Sequence, residues 1–128
     1  MPVFKSKLEE KVWQQLKDKF PQTKYEPEKF KYTQPSIERT YTPDFRTGRR
    51  KIYLEAKGKL DLETRKKMVW FKEHNPDIRI IFLFQNPDNK ITKRSKTTYS
   101  MWAEENGFEW LDFRKDWLNA YSKLCAKR

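Results

Sequence analysis

Ile80-Ile81-Phe82-Leu83-Phe84 is an unbroken apolar run of strand length. A run this short and this apolar reads as a β-strand buried on both faces, which requires cover from two sides of a sheet. Upstream, Lys51 to Lys57 alternates, with Ile52, Leu54 and Ala56 on one face and Tyr53, Glu55 and Lys57 on the other, the pattern of a half-buried strand. Between the two runs, Gly58 ends the first strand, Asp61 can cap a helix reaching about His74, and Asn75-Pro76 stops that helix. Strand, helix and strand in this order predict a parallel unit with the usual right-handed crossover, and hence an α/β fold.

The flanking segments add to this unit. Ser6-Lys7-Leu8-Glu9 has capping-box spacing, and Leu8, Val12, Leu16 and Phe20 recur at helical intervals, so a helix is expected from about Ser6 to Phe20, closed by Pro21. Lys24 to Thr42 reads as two strands around the connector Gln34-Pro35-Ser36. It contains Pro27 and Pro35 and no Asn-Gly type signal, so a tight local hairpin is not well encoded. Downstream, Thr98 to Asn106 reads as a helix ended by Gly107, Phe108 to Leu111 as a short strand, and about Arg114 to Cys125 as a last helix. Repeats and domain linkers are absent, so residues 1–128 are expected to form one domain.

Charge narrows the function. Lys and Arg number 29 against 18 Asp and Glu, a formal net charge of +11 that points to a polyanionic partner, nucleic acid first. The basic residues cluster, and Lys5, Lys7, Arg46, Lys59, Arg65, Lys66, Lys67, Lys93, Arg94 and Lys96 are the candidate phosphate contacts. Solvated surface is the competing explanation for each cluster. No apolar run approaches the roughly 20 residues needed to span a bilayer, and the first residues lack a secretory pattern, so a cytoplasmic protein without a membrane partner is expected. One His and one Cys cannot build a structural zinc site, so any metal must be held by carboxylates.

The chemistry is carried by Pro43-Asp44 and, eleven residues on, Glu55-Ala56-Lys57. Glu55 and Lys57 leave the same face of their strand, and the hairpin joining it to the preceding strand can bring Asp44 beside them. Two carboxylates suit a hard divalent ion such as Mg²⁺ or Mn²⁺, while the lysine can meet developing negative charge on a phosphodiester. A turn cap at Asp44 and a cross-strand ion pair between Glu55 and Lys57 would also account for these residues. Glu9 is the fourth candidate. On a helical wheel it falls inside the sector of Leu8, Val12, Leu16 and Phe20, with Glu10 turned away, so it points toward the core, where a carboxylate wants a cation. The reciprocal arm of the capping box is its other possible role.

These residues resemble the phage endonuclease I group of four-way (Holliday) junction resolvases, within the PD-(D/E)XK nuclease superfamily. Four blocks carry the resemblance: Phe4-Lys5-Ser6-Lys7-Leu8-Glu9-Glu10-Lys11-Val12, Tyr41-Thr42-Pro43-Asp44-Phe45, Ile52-Tyr53-Leu54-Glu55-Ala56-Lys57-Gly58, and Arg65-Lys66-Lys67 continuing to Pro76-Asp77-Ile78-Arg79-Ile80. The resemblance implies a restriction-endonuclease-like mixed sheet flanked by helices, with Glu9, Asp44, Glu55 and Lys57 as catalytic residues. It implies two Mg²⁺ or Mn²⁺ ions per active site, on Glu9, Asp44, Glu55 and the backbone carbonyl of Ala56, and no small-molecule cofactor. It also implies a domain-swapped homodimer acting on branched DNA. Residues 24–42 would be the exchanged strand and bridge, with the bridge near Gln34 to Glu38, and Glu9 would come from one subunit with Asp44, Glu55 and Lys57 from the other. Two other functions remain open on sequence: a non-catalytic basic DNA-binding module, and a related nuclease acting on linear DNA or RNA.

Several residues are expected to be structural. His74 sits at a helix end, where an imidazolium suits the dipole, and Trp13, Trp70 and Trp117 lie on helices with apolar faces, which favours packing over base stacking. Cys125 is expected only to pack, and Glu26, Glu28, Asp61 and Glu63 to serve strand edges and helix caps.

Overall fold

A computed structural model describes residues 2–34 and 37–127. Helix α1 spans Lys7–Lys19, α2 Leu62–His74, α3 Tyr99–Glu105 and α4 Trp117–Ala126. The strands are β1 Lys24–Tyr25, β2 Phe30–Gln34, β3 Ile37–Tyr41, β4 Phe45–Arg46, β5 Ile52–Lys57, β6 Arg79–Phe84 and β7 Glu109–Asp112. The helices begin where side chains satisfy free backbone N–H groups: Ser6, Asp61 and Thr98 each accept from the residue three positions on, capping α1, α2 and α3. Gly107, with φ of 76°, takes the left-handed position that ends α3.

Five strands form one mixed sheet in the order β1-β4-β5-β6-β7. β5 pairs parallel with β6, and β6 with β7, while β4 pairs antiparallel with β5 and β1 with β4. Each face of the sheet has its own core. Ile52, Leu54, Ile81 and Leu83 face Val12 and Leu16 of α1 and Trp117 and Tyr121 of α4. Tyr53, Ile80, Phe82 and Phe84 face Met68 and Phe71 of α2 and Trp102 and Ala103 of α3. The unbroken apolar run is therefore a covered interior strand, between β5 and β7. Trp117 is buried with its indole N–H unpartnered, and Trp13 and Trp70 are only partly buried.

The structure corrects two sequence expectations. β5 alternates in sequence yet is buried on both faces, with Tyr53 fully enclosed and Glu55 3% exposed. Its second face lies under α2 and the β2–β3 ribbon, and Glu55 is a polar residue kept inside rather than a solvated one. Second, β2 and β3 pair antiparallel within the chain, from Phe30↔Tyr41 to Gln34↔Ile37, although their turn chemistry is weak. Tertiary packing supplies what the turn lacks. Tyr41 packs edge-on against Phe71 at 4.7 Å between ring centroids, and Phe30 meets both Tyr53 and Phe71. Truncating Phe71 to Ala would cost about 3–5 kcal/mol and release this ribbon first. The bridge expected near Gln34 to Glu38 includes Pro35 and Ser36, which lie outside the described residues.

Candidate active site

Antiparallel pairing of Phe45 with Leu54 sets Asp44, just before β4, beside Glu55 on β5. The Asp44 backbone N–H donates to Glu55 Oε1 at 3.2 Å, and the Ala56 N–H donates to Asp44 Oδ2 at 3.0 Å. Lys57, two residues beyond Glu55 and on the same face, places Nζ 3.2 Å from Glu55 Oε2. Asp44 and Glu55 are both buried. The structure thus brings Asp44, Glu55 and Lys57 together.

Tyr41 completes the support of Glu55. Its hydroxyl donates to Glu55 Oε1 at 2.6 Å, inside the core. Both Glu55 oxygens are then occupied by protein groups, whereas the second oxygen of Asp44 accepts no hydrogen bond among the described residues. Burial pushes the Asp44 carboxyl well above its usual range, and the neighbouring Glu55 and Glu9 push it further. Lys57 goes the other way from a simple buried lysine: burial works against its charge, but Glu55 and Asp44 outweigh burial and hold the ammonium above its usual range. Lys57 is therefore a fixed positive charge at neutral pH.

Glu9 points inward, as the helical wheel predicts, and is 9% exposed. Ser6 Oγ accepts from the Glu9 N–H at 3.1 Å, which caps α1. The Glu9 carboxylate accepts from Ser6 Oγ at 3.3 Å and from the Tyr25 hydroxyl. It sits close enough to Asp44 and Lys57 to act on both charges, and it does so within one chain. Held by Tyr25, it does not join the cluster directly. Among the described residues no three His, Cys, Asp or Glu side chains converge tightly enough to hold a metal ion. The all-oxygen pair of Asp44 and Glu55, short of positive charge, fits a hard divalent cation; Glu9 fits one only through a bridging water or after leaving Tyr25.

The candidate phosphate contacts divide. Lys7, Lys59, Lys66, Lys93, Arg94 and Lys96 are exposed. Lys5 is exposed but paired with Glu26 at 2.7 Å. Arg65 is corrected from surface to interior: it is 8% exposed and its Nη1 donates to the carbonyls of Leu60 at 2.7 Å and Ile91 at 3.2 Å, tying α2 to the loop after β6. Arg46 is likewise occupied, paired with Glu28, donating to the Gly48 carbonyl at 2.9 Å, and lying over the Tyr53 ring. Lys67 is half-buried, with Nζ 5.4 Å from the centre of the Tyr41 ring. Burial and the Lys57 charge lower its pKa.

Tyr41 and Tyr25 are the functional supports that the sequence reading leaves out. Each lies in an aromatic alternation that reads as packing, and only the sheet register shows that its hydroxyl reaches a carboxylate.

The model of the phage endonuclease I family matches residues 1–127 of this chain. The chain belongs to the phage endonuclease I family. It is 36% identical over 109 residues to endodeoxyribonuclease 1 of Enterobacteria phage T3, a match covering 85% of this chain and 71% of the relative. It is also 36% identical over 109 residues to endonuclease I of Escherichia phage T7, covering 85% and 72% respectively. As a member of the phage endonuclease I family the protein is an endodeoxyribonuclease, and DNA is its substrate. Among the described residues no helix is long and apolar enough to cross a membrane.

Proposed function

We propose that this phage endonuclease I family member is a divalent-metal-dependent, structure-selective endonuclease that cuts phosphodiesters at four-way junctions and other branched DNA. The observation that supports this reading best is the buried Asp44–Glu55 pair with Lys57 on Glu55, set at the end of two strands on a chain of net charge +11. Mg²⁺ or Mn²⁺, two per site in the full arrangement, would be held by Asp44, Glu55 and the Ala56 carbonyl, with Glu9 as the outer ligand. When bound, such an ion polarises the phosphodiester and acidifies a water.

The chain's own residues do the remaining work. Tyr41 and the Asp44 N–H fix the orientation of Glu55, so its carboxylate does not swing when substrate arrives. Lys57, kept protonated by its neighbours, places an N–H donor where negative charge grows on the phosphate in the transition state. The exposed Lys59, Lys66, Lys93, Arg94 and Lys96 supply salt-sensitive affinity for the DNA backbone, which selects shape and charge over base sequence.

A homodimer with exchanged β2 strands belongs to the same proposal. Exchange at the bridge preserves every β2–β3 pairing while passing α1, and with it Glu9, to the partner's Asp44 and Glu55. Two sites in fixed relation suit paired cuts across a junction. The test is cleavage of labelled four-way junction, linear duplex and single strand with magnesium, with calcium and with EDTA. Junction cutting that needs magnesium or manganese is the expected result. Equal cutting of linear duplex would overturn the junction preference, and full cutting in EDTA the metal requirement.

A further inference from the structure

Lys67 stands where a structural role explains it poorly. It projects from α2 toward the buried end of β3, partly desolvated, and among the described residues no carboxylate lies within ion-pairing distance of it. A lysine that gives up part of its hydration without an ion pair is a net cost to the fold. The Tyr41 ring face, 5.4 Å from the ammonium, recovers only part of it. That ring also anchors the site, because the same tyrosine donates its hydroxyl to Glu55. Lys67 is thus one side chain removed from the Asp44–Glu55–Lys57 cluster.

The same lysine lines a groove of about 590 Å³ between α2 and the β2–β3 ribbon, with Lys66 on the helix and Arg39 on β3. Asp61 and Glu63 also border this groove, but Asp61 is occupied as the α2 cap, accepting from the Thr64 N–H at 2.9 Å. Three cations along a groove, one of them joined through Tyr41 to the Asp44–Glu55–Lys57 cluster, match the spaced negative charges of a DNA strand.

We propose that Lys67 is a further substrate-contacting residue of this nuclease, its ammonium meeting a non-bridging oxygen of the phosphate next to the scissile one, where the strand enters the groove walled by Arg39 and Lys66. The proposal rests on Asp44, Glu55 and Lys57 being the active site. Lys67 differs in role from the exposed lysines: it orders the strand for cutting, so its loss acts mainly on the cleavage step and little on overall affinity.

The test is single-turnover cleavage of a branched DNA by the wild type, Lys67→Met and Lys67→Arg. Lys67→Met keeps the apolar stem and removes the charge. Each protein is given the ordinary substrate and substrates in which one phosphate flanking the cut is replaced by an uncharged methylphosphonate. Lys67→Met should cut the ordinary substrate at least tenfold more slowly with binding within about threefold, and Lys67→Arg should recover most of the rate. One methylphosphonate position should slow the wild type to the level of Lys67→Met and cost that variant nothing further, a coupling that loosened packing does not produce. Lys67→Met cutting within twofold of the wild type, or a loss equal at every flanking position, would overturn the proposal. Glu55→Gln separates the two ideas: if it still cuts fully, the active-site reading fails, whereas an inactive Glu55→Gln beside an unimpaired Lys67→Met rejects the Lys67 role alone.

Discussion

Replacing Asp44 by Asn should make the metal-free protein more stable while destroying its activity. Asn preserves the size of the side chain and an oxygen for the Ala56 N–H, and it removes a buried charge that sits against Glu55. The sign follows from linkage. Asp44 has a folded-state pKa raised above its unfolded value of about 3.9, so its ionisation weakens the fold above the raised pKa, and the penalty disappears as pH falls toward the unfolded value. Each unit of such a shift is worth about 1.4 kcal/mol. The attraction of Lys57 and the hydrogen bond from the Ala56 N–H already act against that shift, and the balance remains upward. The gain expected at pH 7 in EDTA is about 1–3 kcal/mol, the usual cost of a buried polar group short of partners, at roughly 3–6 °C in Tm per kcal/mol for a chain of this size. Urea denaturation and thermal melts of both proteins at pH 7 and pH 4 measure it, and the gain should shrink at pH 4. Magnesium should stabilise the wild type more than the variant by mass action. An Asp44→Asn protein less stable than the wild type in EDTA at pH 7, or a gain unchanged at pH 4, would refute the like-charge account of this site.

Other expectations concern the supports of the cluster. Tyr41→Phe keeps the ring against Phe71 and loses the donor to Glu55, so cleavage should slow about tenfold or more and stability fall by about 1.5–3 kcal/mol; full activity would show that Glu55 needs no such tether. Asp112, whose pKa the Arg114 guanidinium lowers, adds stability above pH 4 that is lost as pH falls through the depressed folded value. Asp112→Asn should therefore weaken the protein at pH 7 and converge with the wild type near pH 2 in urea titrations; an equal difference at both would discount the pair. Co-expressed Glu9→Ala and Glu55→Ala chains should form heterodimers with one intact shared site and nick a junction. Wholly inactive mixtures, or a monomer by light scattering, would place each site within one chain.

The sheet was readable where burial and sequence pattern agree. The run Ile80 to Phe84 is short enough to read as a covered strand, and Gly58, Asp61 and Asn75-Pro76 punctuate the helix beside it. The inward turn of Glu9 followed from one helical wheel. Pairing decided by distant packing was not readable: β2 and β3 meet because Tyr41 and Phe30 find Phe71, and no local turn residue announces this. Arg65 shows the limit of charge counting, since its sequence neighbours Lys66 and Lys67 differ from it in burial and only the position of the Leu60 and Ile91 carbonyls separates them. The hydroxyls of Tyr41 and Tyr25 leave no mark in the sequence, because packing already explains an aromatic in an alternating strand.

The central claim is that the Asp44–Glu55–Lys57 cluster cuts DNA, and single-turnover cleavage of a labelled four-way junction by Glu55→Gln tests it most directly. The variant should bind the junction in calcium within about tenfold of the wild type, since the exposed basic residues supply most of the affinity, and should cut it at least a thousandfold more slowly in magnesium. Wild-type cutting by Glu55→Gln at matched binding would contradict the assignment and move the active site elsewhere on the protein.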